Sequence, residues 1–448
     1  MKAEHKAVWG WALYDWANSA FATTVMAGFF PVFFKEFWSR GADVNTSTAM
    51  LGVGNSLASV VLALLSPVLG AIADQGSARK RFLAFFAYLG VLATAALALV
   101  GEGRWALATL VYAVGVLGFG GANVFYDALL PGVAEEARLD RVSGLGYALG
   151  YLGGGVLFAV NVLMTLMPER FGFANAAQAV KASFVSVAFW WGGFTLFTLL
   201  WVPEEKREQP ALGCNMVTSG FRQLWGTLRR IRGHRTVILF LVAYWFYIDG
   251  VDTIIRMAVD YGMSLGFSSK DLIVALLIVR FVGFPSALVY GRFGQRVGAR
   301  RAIYAGLAVY VLLTVWGTMM RSRTEFYAIA CVIGLVQGGV QALSRSFYAR
   351  LIPREQAAEY FGFYDMLGKF AVMFGPALMG LVGLAARRIL MPAQPTHAEA
   401  LEVGRLATRI GLGSVILLFV AGAVLFAFVN EEEGKAEAAR LSSEGPAH

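Results

Sequence analysis

The sequence predicts an all-α polytopic membrane protein with twelve transmembrane helices in two six-helix pseudo-repeats. Hydrophobic residues make up 58% of its 448 positions and charged residues 15%, whereas soluble domains carry roughly 25% charged residues. Largely apolar runs of about 20 residues recur along the whole chain, and each is long enough to cross roughly 30 Å of hydrocarbon. Matching motifs recur 218 to 234 residues apart, which indicates an internal duplication.

The apolar runs and the basic residues between them predict the topology. Lys and Arg concentrate in the tails and in alternate connections, with 22 on that side and about half as many on the other. Because positive residues are retained on the cytoplasmic side, we expect both termini to be cytoplasmic. Short loops favour a bacterial inner (plasma) membrane, with a vacuolar membrane as the alternative. The spans are predicted at about 9–34, 48–73, 82–101, 105–131, 143–167, 183–203, 236–262, 270–292, 302–320, 326–350, 358–386 and 405–430.

A long polar connection divides the chain into two halves. Its apolar residues, such as Phe221 and Leu228, keep a helical period, which predicts a basic amphipathic helix on the inner leaflet. A solvated basic linker is the alternative. The tail is rich in Ala and Glu and is expected to be disordered. The predicted domains are an N-terminal half (1–203), a cytoplasmic linker (204–235), a C-terminal half (236–430) and the tail (431–448).

The residue inventory excludes several functional classes. The two cysteines, Cys214 and Cys331, make no disulfide framework. All four histidines lie in loops or tails, so we expect no intramembrane metal site and no histidine proton relay. The glycine-rich stretches lie inside spans, and no GxxxxGK[ST] motif is present. We therefore expect no cofactor, no nucleic-acid partner and no enzymatic activity.

Four pairs of motifs carry the duplication. The paired motifs are separated by a nearly constant number of residues, which is improbable by chance. We therefore expect two parallel six-helix halves around a central substrate site. The pairs are Asp15-x-x-Asn18 with Asp249-x-x-Asp252, Gly70-x-x-x-Asp74 with Gly291-x-x-x-Gln295, Phe125-Tyr126 with Phe347-Tyr348, and Gly144 with Gly362.

Two loops carry a glycine, a polar residue and basic residues after spans 2 and 8. They resemble the loop signature G-x-x-x-D-(R/K)-x-G-(R/K)-(R/K) of the major facilitator superfamily. The glycine permits close packing, the acid can cap a neighbouring helix, and the basic residues can hold the cytoplasmic side closed. Ordinary positive-inside loops are the alternative, and Gln295 replaces the acid in the second copy. The gating residues predicted are Gly70, Asp74, Arg79, Lys80, Gly291, Gln295, Arg296 and Arg300.

A more specific resemblance lies in the segments LYDWANSAF, NVFYDALLP, YIDGVDTIIRMA and QGGVQALSRSFYARLIP. They are similar to the bacterial relatives of the yeast vacuolar amino-acid effluxers, a branch of the major facilitator superfamily. The resemblance covers residues 9–430 and implies a twelve-helix facilitator with an amino-acid-like substrate.

Polar residues inside spans 1 and 7 are the first candidate site. A carboxylate at membrane depth costs about 2.5–3.5 kcal/mol, so such residues are rarely without a role. One face of span 7 carries several charges at helical spacing, which predicts a binding and coupling stripe. A structural ion-pair ladder is the alternative. The candidates are Asp15 and Asn18 in span 1, and Asp249, Asp252, Arg256 and Asp260 in span 7.

The cavity is predicted to be lined by aromatic residues of span 1 and polar residues of span 10. Arg345 is the candidate partner for a substrate carboxylate or phosphate, because its planar fork binds either in a bidentate manner. A pair between Arg345 and Asp365 is the alternative. Trp9 and Trp11 are expected to be interfacial anchors. Gln341 is predicted, with Arg345, to bind the substrate, and the lining residues predicted are Tyr14, Trp16, Phe21, Gln337 and Ser344.

Together these features predict a monomeric secondary transporter that works by alternating access. The expected substrate is a small zwitterion such as an amino acid, with its ammonium on Asp249 or Asp252 and its carboxylate on Arg345. A proton is the favoured coupling ion, sodium is the other candidate, and membrane lipids surround the chain. One alternative is a phosphorylated metabolite or lipid headgroup bound by Arg256, Arg280 and Arg345, and another is a receptor that does not transport.

Overall fold

The computed structural model describes residues 3–40, 60–74, 78–204, 234–264, 267–392 and 396–444. Within these ranges the chain is helical and contains no β-strand. Eleven of the described helices are long and apolar enough to cross a membrane, and a twelfth, Val60–Asp74, is apolar but shorter. The predicted all-α polytopic fold is confirmed.

The helices follow the predicted spans in order. The first, α1, spans Glu4–Trp38 and contains π-helical turns over Phe21–Phe29 and Phe34–Trp38. The others are α2 (Val60–Asp74), α3 (Arg79–Leu97), α4 (Trp105–Val133), α5 (Leu139–Leu166), α6 (Ala176–Trp201), α7 (Arg235–Ser264), α8 (Ser269–Val297), α9 (Ala299–Met319), α10 (Arg323–Leu351), α11 (Ala357–Leu390), α12 (His397–Ala427) and a final helix, α13 (Glu431–Glu444).

Polar caps mark the starts of four even-numbered helices. The side chains of Asn175, Ser268, Ser322 and Thr396 accept hydrogen bonds from the first turns of α6, α8, α10 and α12. Such caps satisfy amide groups that have no partner within the helix. Because the helices alternate in direction, all four caps lie at the same end of the bundle. The opposite end, where α1 begins and α12 finishes, is called the terminal end below.

Two glycines let the halves approach closely at the terminal end. A Cβ atom on Gly70 of α2 would lie 2.1 Å from the carbonyl oxygen of Ala358 in α11. A Cβ atom on Gly291 of α8 would lie 2.9 Å from the carbonyl oxygen of Asp140 in α5. Each predicted loop motif therefore places its glycine against the first turn of a helix in the other half, where only a glycine fits without displacement.

The tail differs from its prediction. It was expected to be disordered, but α13 is helical over Glu431–Glu444. The Asn430 side chain caps this helix, accepting from the amide of Glu432 at 3.2 Å, and glutamates occupy the first turn, where the helix dipole favours negative charge. Lys435 Nζ lies 3.1 Å from Glu136 of the N-terminal half. Burial disfavours the Lys435 ammonium, but hydrogen bonds to Glu432 and Glu136 raise its pKa above the ordinary value.

The cytoplasmic linker and the domain boundaries remain predictions. Residues 205–233 of the linker lie outside the described residues, and so does the amphipathic helix expected there. We keep the terms N-terminal half for α1–α6 and C-terminal half for α7–α12.

Candidate functional site

The guanidinium of Arg345 in α10 lies between two carboxylates of the other half. Its Nη1 atom donates to Asp127 of α4 at 2.8 Å, and its Nη2 atom lies 3.4 Å from Asp15 of α1. Its Nε atom donates to Ser143 Oγ of α5 at 3.0 Å. The side chain is 3% exposed. One buried cation therefore links α10 to three helices of the N-terminal half, and it is shared by two acidic side chains.

Aromatic rings surround this cation. The guanidinium carbon lies 4.5 Å from the ring centre of Tyr147, 4.7 Å from that of Trp11 and 5.4 Å from that of Tyr126. The Tyr126 hydroxyl donates to Asp15 at 2.7 Å, and the Trp11 indole donates to the Tyr126 carbonyl at 2.9 Å. Cation–π contacts are stronger where water is excluded, so these rings stabilise the charge. We call Arg345, Asp15, Asp127 and their aromatic neighbours the Arg345 cluster.

Two interpretations from the sequence are wrong here. Trp11 is fully buried and stacked on Tyr126 at 4.5 Å, so it is not an interfacial anchor. Arg345 pairs with the N-terminal half, whereas Asp365 lies 4.0 Å from Lys369 and accepts from Ser66 at 3.5 Å. The sequence singled out Arg345 and Asp15, but nothing in it distinguished Ser143 or Tyr147 from other residues that line helix contacts.

Arg345 does not lie at mid-membrane, where a substrate site between two six-helix halves is expected. Arg345 is six residues from the end of α10 at Leu351, or about 9 Å along the axis. Asp127 is likewise six residues from the end of α4 at Val133. The Arg345 cluster therefore lies in the part of the bundle nearest the terminal end.

Asp249 lies at mid-depth and is held by its own half. It is fourteen residues from the start of α7 and fifteen from its end. Its carboxylate accepts from the amide of Gly375 in α11 at 2.9 Å and from Thr253 Oγ1 at 3.4 Å, and the residue is 1% exposed. Asp252, one turn further on, is half-buried. The described contacts of Asp249 run to α11 and along α7, not to the Arg345 cluster.

The predicted span-1 residues fall into two groups. Tyr14 packs against Tyr126 with ring centres 4.9 Å apart, and Asn18 donates to Asn123 of α4. Trp16 stacks on Trp190 of α6 at 5.2 Å, and the fully buried Phe21 packs against aromatic residues of the same half. The contacts of Trp16 and Phe21 thus belong to the packing of the N-terminal half, and the cavity-lining interpretation does not fit Phe21.

The polar residues of α10 lie at different depths along the helix. Gln337 is fourteen residues from either end of the helix and is 7% exposed, and Gln341 is half-buried. Ser344 lies 2.7 Å from the hydroxyl of Tyr247 in α7. The side chains of Arg256 and Asp260 lie outside the described residues.

The first predicted gating loop joins the two halves. Asp74 is 4% exposed and accepts from the backbone amides of Ala358 at 3.2 Å and Glu359 at 2.9 Å, which caps α11. Arg79 donates to Asp74 at 2.7 Å and to the carbonyl of Arg354 at 2.9 Å. An anion at a helix N-terminus is favoured by the helix dipole, so this contact stabilises the packing of the two halves at the terminal end.

The second predicted gating loop joins the halves by a different bond. The Gln295 side chain donates to the carbonyl of Ala137 at 2.9 Å, so an amide donor takes the place of the capping acid. Lys80 and Arg300 donate to carbonyls of their own halves, Val202 at 2.7 Å and Ala427 at 2.6 Å. Arg296 is exposed.

A further buried pair closes the same end and was missed in the sequence. Asp140 of α5 is 3% exposed and lies 2.7 Å from Arg350 of α10. The hydroxyl of Ser346 donates to the same carboxylate. In the sequence, Arg350 is one of several positive residues at the end of a span, and a sequence gives no distance between α5 and α10.

Comparison with known proteins identifies the family. The model of the vacuole effluxer Atg22-like family matches residues 39–392. The chain belongs to this family. The Atg22-like chain is 38% identical over 426 residues to the uncharacterised MFS-type transporter YxiO of Bacillus subtilis, covering 94% of both chains. It is 23% identical to autophagy-related protein 22 of Yarrowia lipolytica, covering 83% of this chain and 74% of that one.

Solved structures show the same fold at low identity. The human organic anion transporter MFSD10 (TETRAN) matches with a TM-score of 0.68 and 15% identity, over 95% of the Atg22-like chain and all of that chain. The proton:xylose symporter XylE matches with a TM-score of 0.67 and 13% identity, over 97% and 96%. The Atg22-like chain is thus an integral membrane protein of the major facilitator fold and an MFS-type transporter.

Proposed function

We propose that this transporter moves a small zwitterionic solute of the amino-acid class across the membrane by alternating access, driven by protons. The observation that carries the proposal is the Arg345 cluster, in which one cation joins the two halves through two carboxylates. The distribution of Lys and Arg supports placing the terminal end in the cytoplasm.

The contacts between the halves support alternating access. The cross-half bonds of Asp74, Arg79, Asp140 and Gln295 all lie between the Arg345 cluster and the terminal end. Opening that end requires these bonds to break together with the pairs of Arg345. Closure at one end of the bundle is the arrangement expected of one of the two limiting states of such a transporter.

The charge of the Arg345 cluster supports proton coupling. Two ionised carboxylates and one guanidinium leave a net negative charge, and an uncompensated charge at membrane depth is costly. A proton on Asp127 would balance the cluster, and it would also weaken the attraction that holds Arg345 to the N-terminal half. Binding and release of that proton would then be linked to opening of the terminal end.

The substrate site is proposed at mid-depth, where this fold places it. Asp249, Asp252 and Gln337 occupy that level of α7 and α10. One of the two carboxylates would take the substrate ammonium. Arg345 already pairs with two carboxylates and lies nearer the terminal end. It is therefore not the proposed partner of the substrate carboxylate.

The proposal is tested by transport in proteoliposomes that contain the full chain. Vesicles preloaded with each of the twenty standard L-amino acids in turn are expected to show counterflow of the labelled form. Flux should respond to an imposed pH gradient and not to a sodium gradient. Protein-free vesicles and Arg292→Gln, an exposed residue of α8, are the controls.

Three outcomes would contradict parts of the proposal. A response to sodium alone would replace the proton as coupling ion. Counterflow of phosphorylated sugars but of no amino acid would replace the substrate class. Binding without any counterflow would make the protein a receptor.

A further inference from the structure

Arg280 is a second intramembrane cation, which is half-buried and lies at a different level from Arg345. It is eleven residues from the start of α8 and seventeen from its end, close to mid-depth. Its guanidinium carbon lies 5.4 Å from the ring centre of Tyr151 in α5. Its Nε atom is buried and has no hydrogen-bond partner among the residues that the structure describes.

Two other intramembrane cations whose side chains are described, Arg345 and Lys369, differ from Arg280. Arg345 lies within 3.5 Å of two carboxylates, and Lys369 lies 4.0 Å from Asp365. No salt bridge to Arg280 is present in the described part of the chain. A charged side chain that is retained at membrane depth without a partner is costly, so a function that requires the free cation is the physical reason for keeping it there.

The surroundings of Arg280 join three helices from both halves. The Tyr151 ring is wedged between α8 and α10, because a Cβ atom on Gly283 would lie 3.0 Å from it and one on Gly338 would lie 2.4 Å from it. Gln337, next to Gly338 in α10, has a buried Oε1 atom with no partner among the described residues. Unsatisfied polar groups therefore occur at similar depth on both α8 and α10, where these helices meet α5.

We propose that Arg280 is the anchor for the carboxylate of the transported zwitterion, with the Tyr151 ring as the wall that orients its guanidinium. This inference rests on the proposed function, which assigned the substrate ammonium but named no residue for the substrate carboxylate. A planar guanidinium held against an aromatic face presents its remaining donors in a fixed fork that matches a carboxylate. Because Arg280 belongs to the C-terminal half and Tyr151 to the N-terminal half, the anchored carboxylate lies at the boundary between them.

The test is a thermal-shift titration of the purified full chain. The probes are the twenty standard L-amino acids, the corresponding amino-acid amides, which lack the carboxylate, and inorganic phosphate. At least one amino acid is expected to raise the melting temperature of the wild type, and its amide is not. Arg280→Gln is expected to weaken binding of that amino acid about ten- to hundredfold, the usual range for loss of a charged hydrogen bond. Arg292→Gln, on the exposed face of the same helix, should bind like the wild type.

A second measurement separates an anchor from a structural cation. Removal of an intramembrane charge that has no salt bridge among the described residues should leave the ligand-free melting temperature of Arg280→Gln unchanged or higher, whereas loss of a structural contact would lower it. If that variant does not fold, Arg280→Lys keeps the charge without the fork and is expected to bind about tenfold more weakly. Equal binding by Arg280→Lys would then overturn the inference.

The outcomes distinguish this inference from the proposed function. Amino-acid binding that persists in Arg280→Gln overturns the anchor and leaves the proposed function standing. Stabilisation by phosphate alone, lost in Arg280→Gln, supports Arg280 as an anion anchor and overturns the amino-acid class. A wild type that none of the probes stabilises overturns both.

Discussion

Arg345 Nη1 in the C-terminal half donates a hydrogen bond to Asp127 in the N-terminal half at 2.8 Å, across 218 residues of sequence. The same guanidinium lies 3.4 Å from Asp15. A buried cation shared by two carboxylates is stable only while the halves stay together at this level, so this contact connects the charge state of the bundle to its conformation.

Removal of the Arg345 charge should destabilise the protein. Arg345→Gln leaves Asp15 and Asp127, whose side chains are 14% and 20% exposed, without their cation, and breaking a buried ion pair costs about 3–5 kcal/mol. Denaturation in detergent should therefore show a clear loss of stability. Combining Arg345→Gln with Asp15→Asn and Asp127→Asn should restore much of it, because no uncompensated charge remains. An unchanged melting temperature for Arg345→Gln alone would contradict the role of the pair.

Neutralising Asp127 should uncouple transport from protons. Asp127→Asn keeps the shape of the side chain and removes the second carboxylate, so the Arg345 cluster balances without a proton. We expect counterflow to persist while the response to an imposed pH gradient is lost. Asp15→Asn is the matched comparison, since Asp15 also accepts from Tyr126. Undiminished pH dependence in both variants would place the coupling elsewhere, with Asp249 the next candidate.

A methyl group at Gly70 should hold the terminal end open. The added Cβ would lie 2.1 Å from the Ala358 carbonyl oxygen, a backbone atom that cannot move aside alone. The measurement is thiol labelling of Ser66→Cys, since Ser66 is 1% exposed in the closed state, in a chain whose two cysteines are replaced by serine. Labelling should rise severalfold in Gly70→Ala. Gly368→Ala, where a Cβ has no neighbour within 4 Å among the described residues, should label at the original rate.

Deletion of α13 should loosen the same end. This helix follows the C-terminal half, and it contacts both halves: Lys435 lies 3.1 Å from Glu136 of the N-terminal half, and Ser442 donates to Glu355, just before α11, at 2.9 Å. A chain that ends at Asn430 is expected to label faster at Ser66→Cys. Lys435→Gln alone should change the rate by less than about fivefold, because a partly exposed ion pair contributes about 0–1 kcal/mol. If the shortened chain labels at the original rate, α13 plays no part in closure.

The sequence by itself determined the helices, the family and the character of the loops. Apolar run length sets the spans, and that information is local, so α1 and α3–α12 were predicted in order. The glycine of each loop motif was also interpreted correctly, because close backbone contact admits few other residues, and Gly70 and Gly291 meet the opposite half. The cap of α13 was visible as Asn430 followed by three glutamates, but the polar composition of the tail outweighed it in the prediction.

The tertiary structure decided which charges are paired. In the sequence, Asp365 was as good a partner for Arg345 as Asp127, and Arg280 differed little from other basic residues. The strength of an ion pair depends on the distance between two atoms and on the water excluded around them. Helix packing alone sets both quantities for residues more than 200 positions apart. The number of charged residues inside the membrane spans can therefore be predicted from the sequence. Their pairing depends on the folded bundle, in which Arg345 joins the two halves and Arg280 faces Tyr151 without a carboxylate among the described residues.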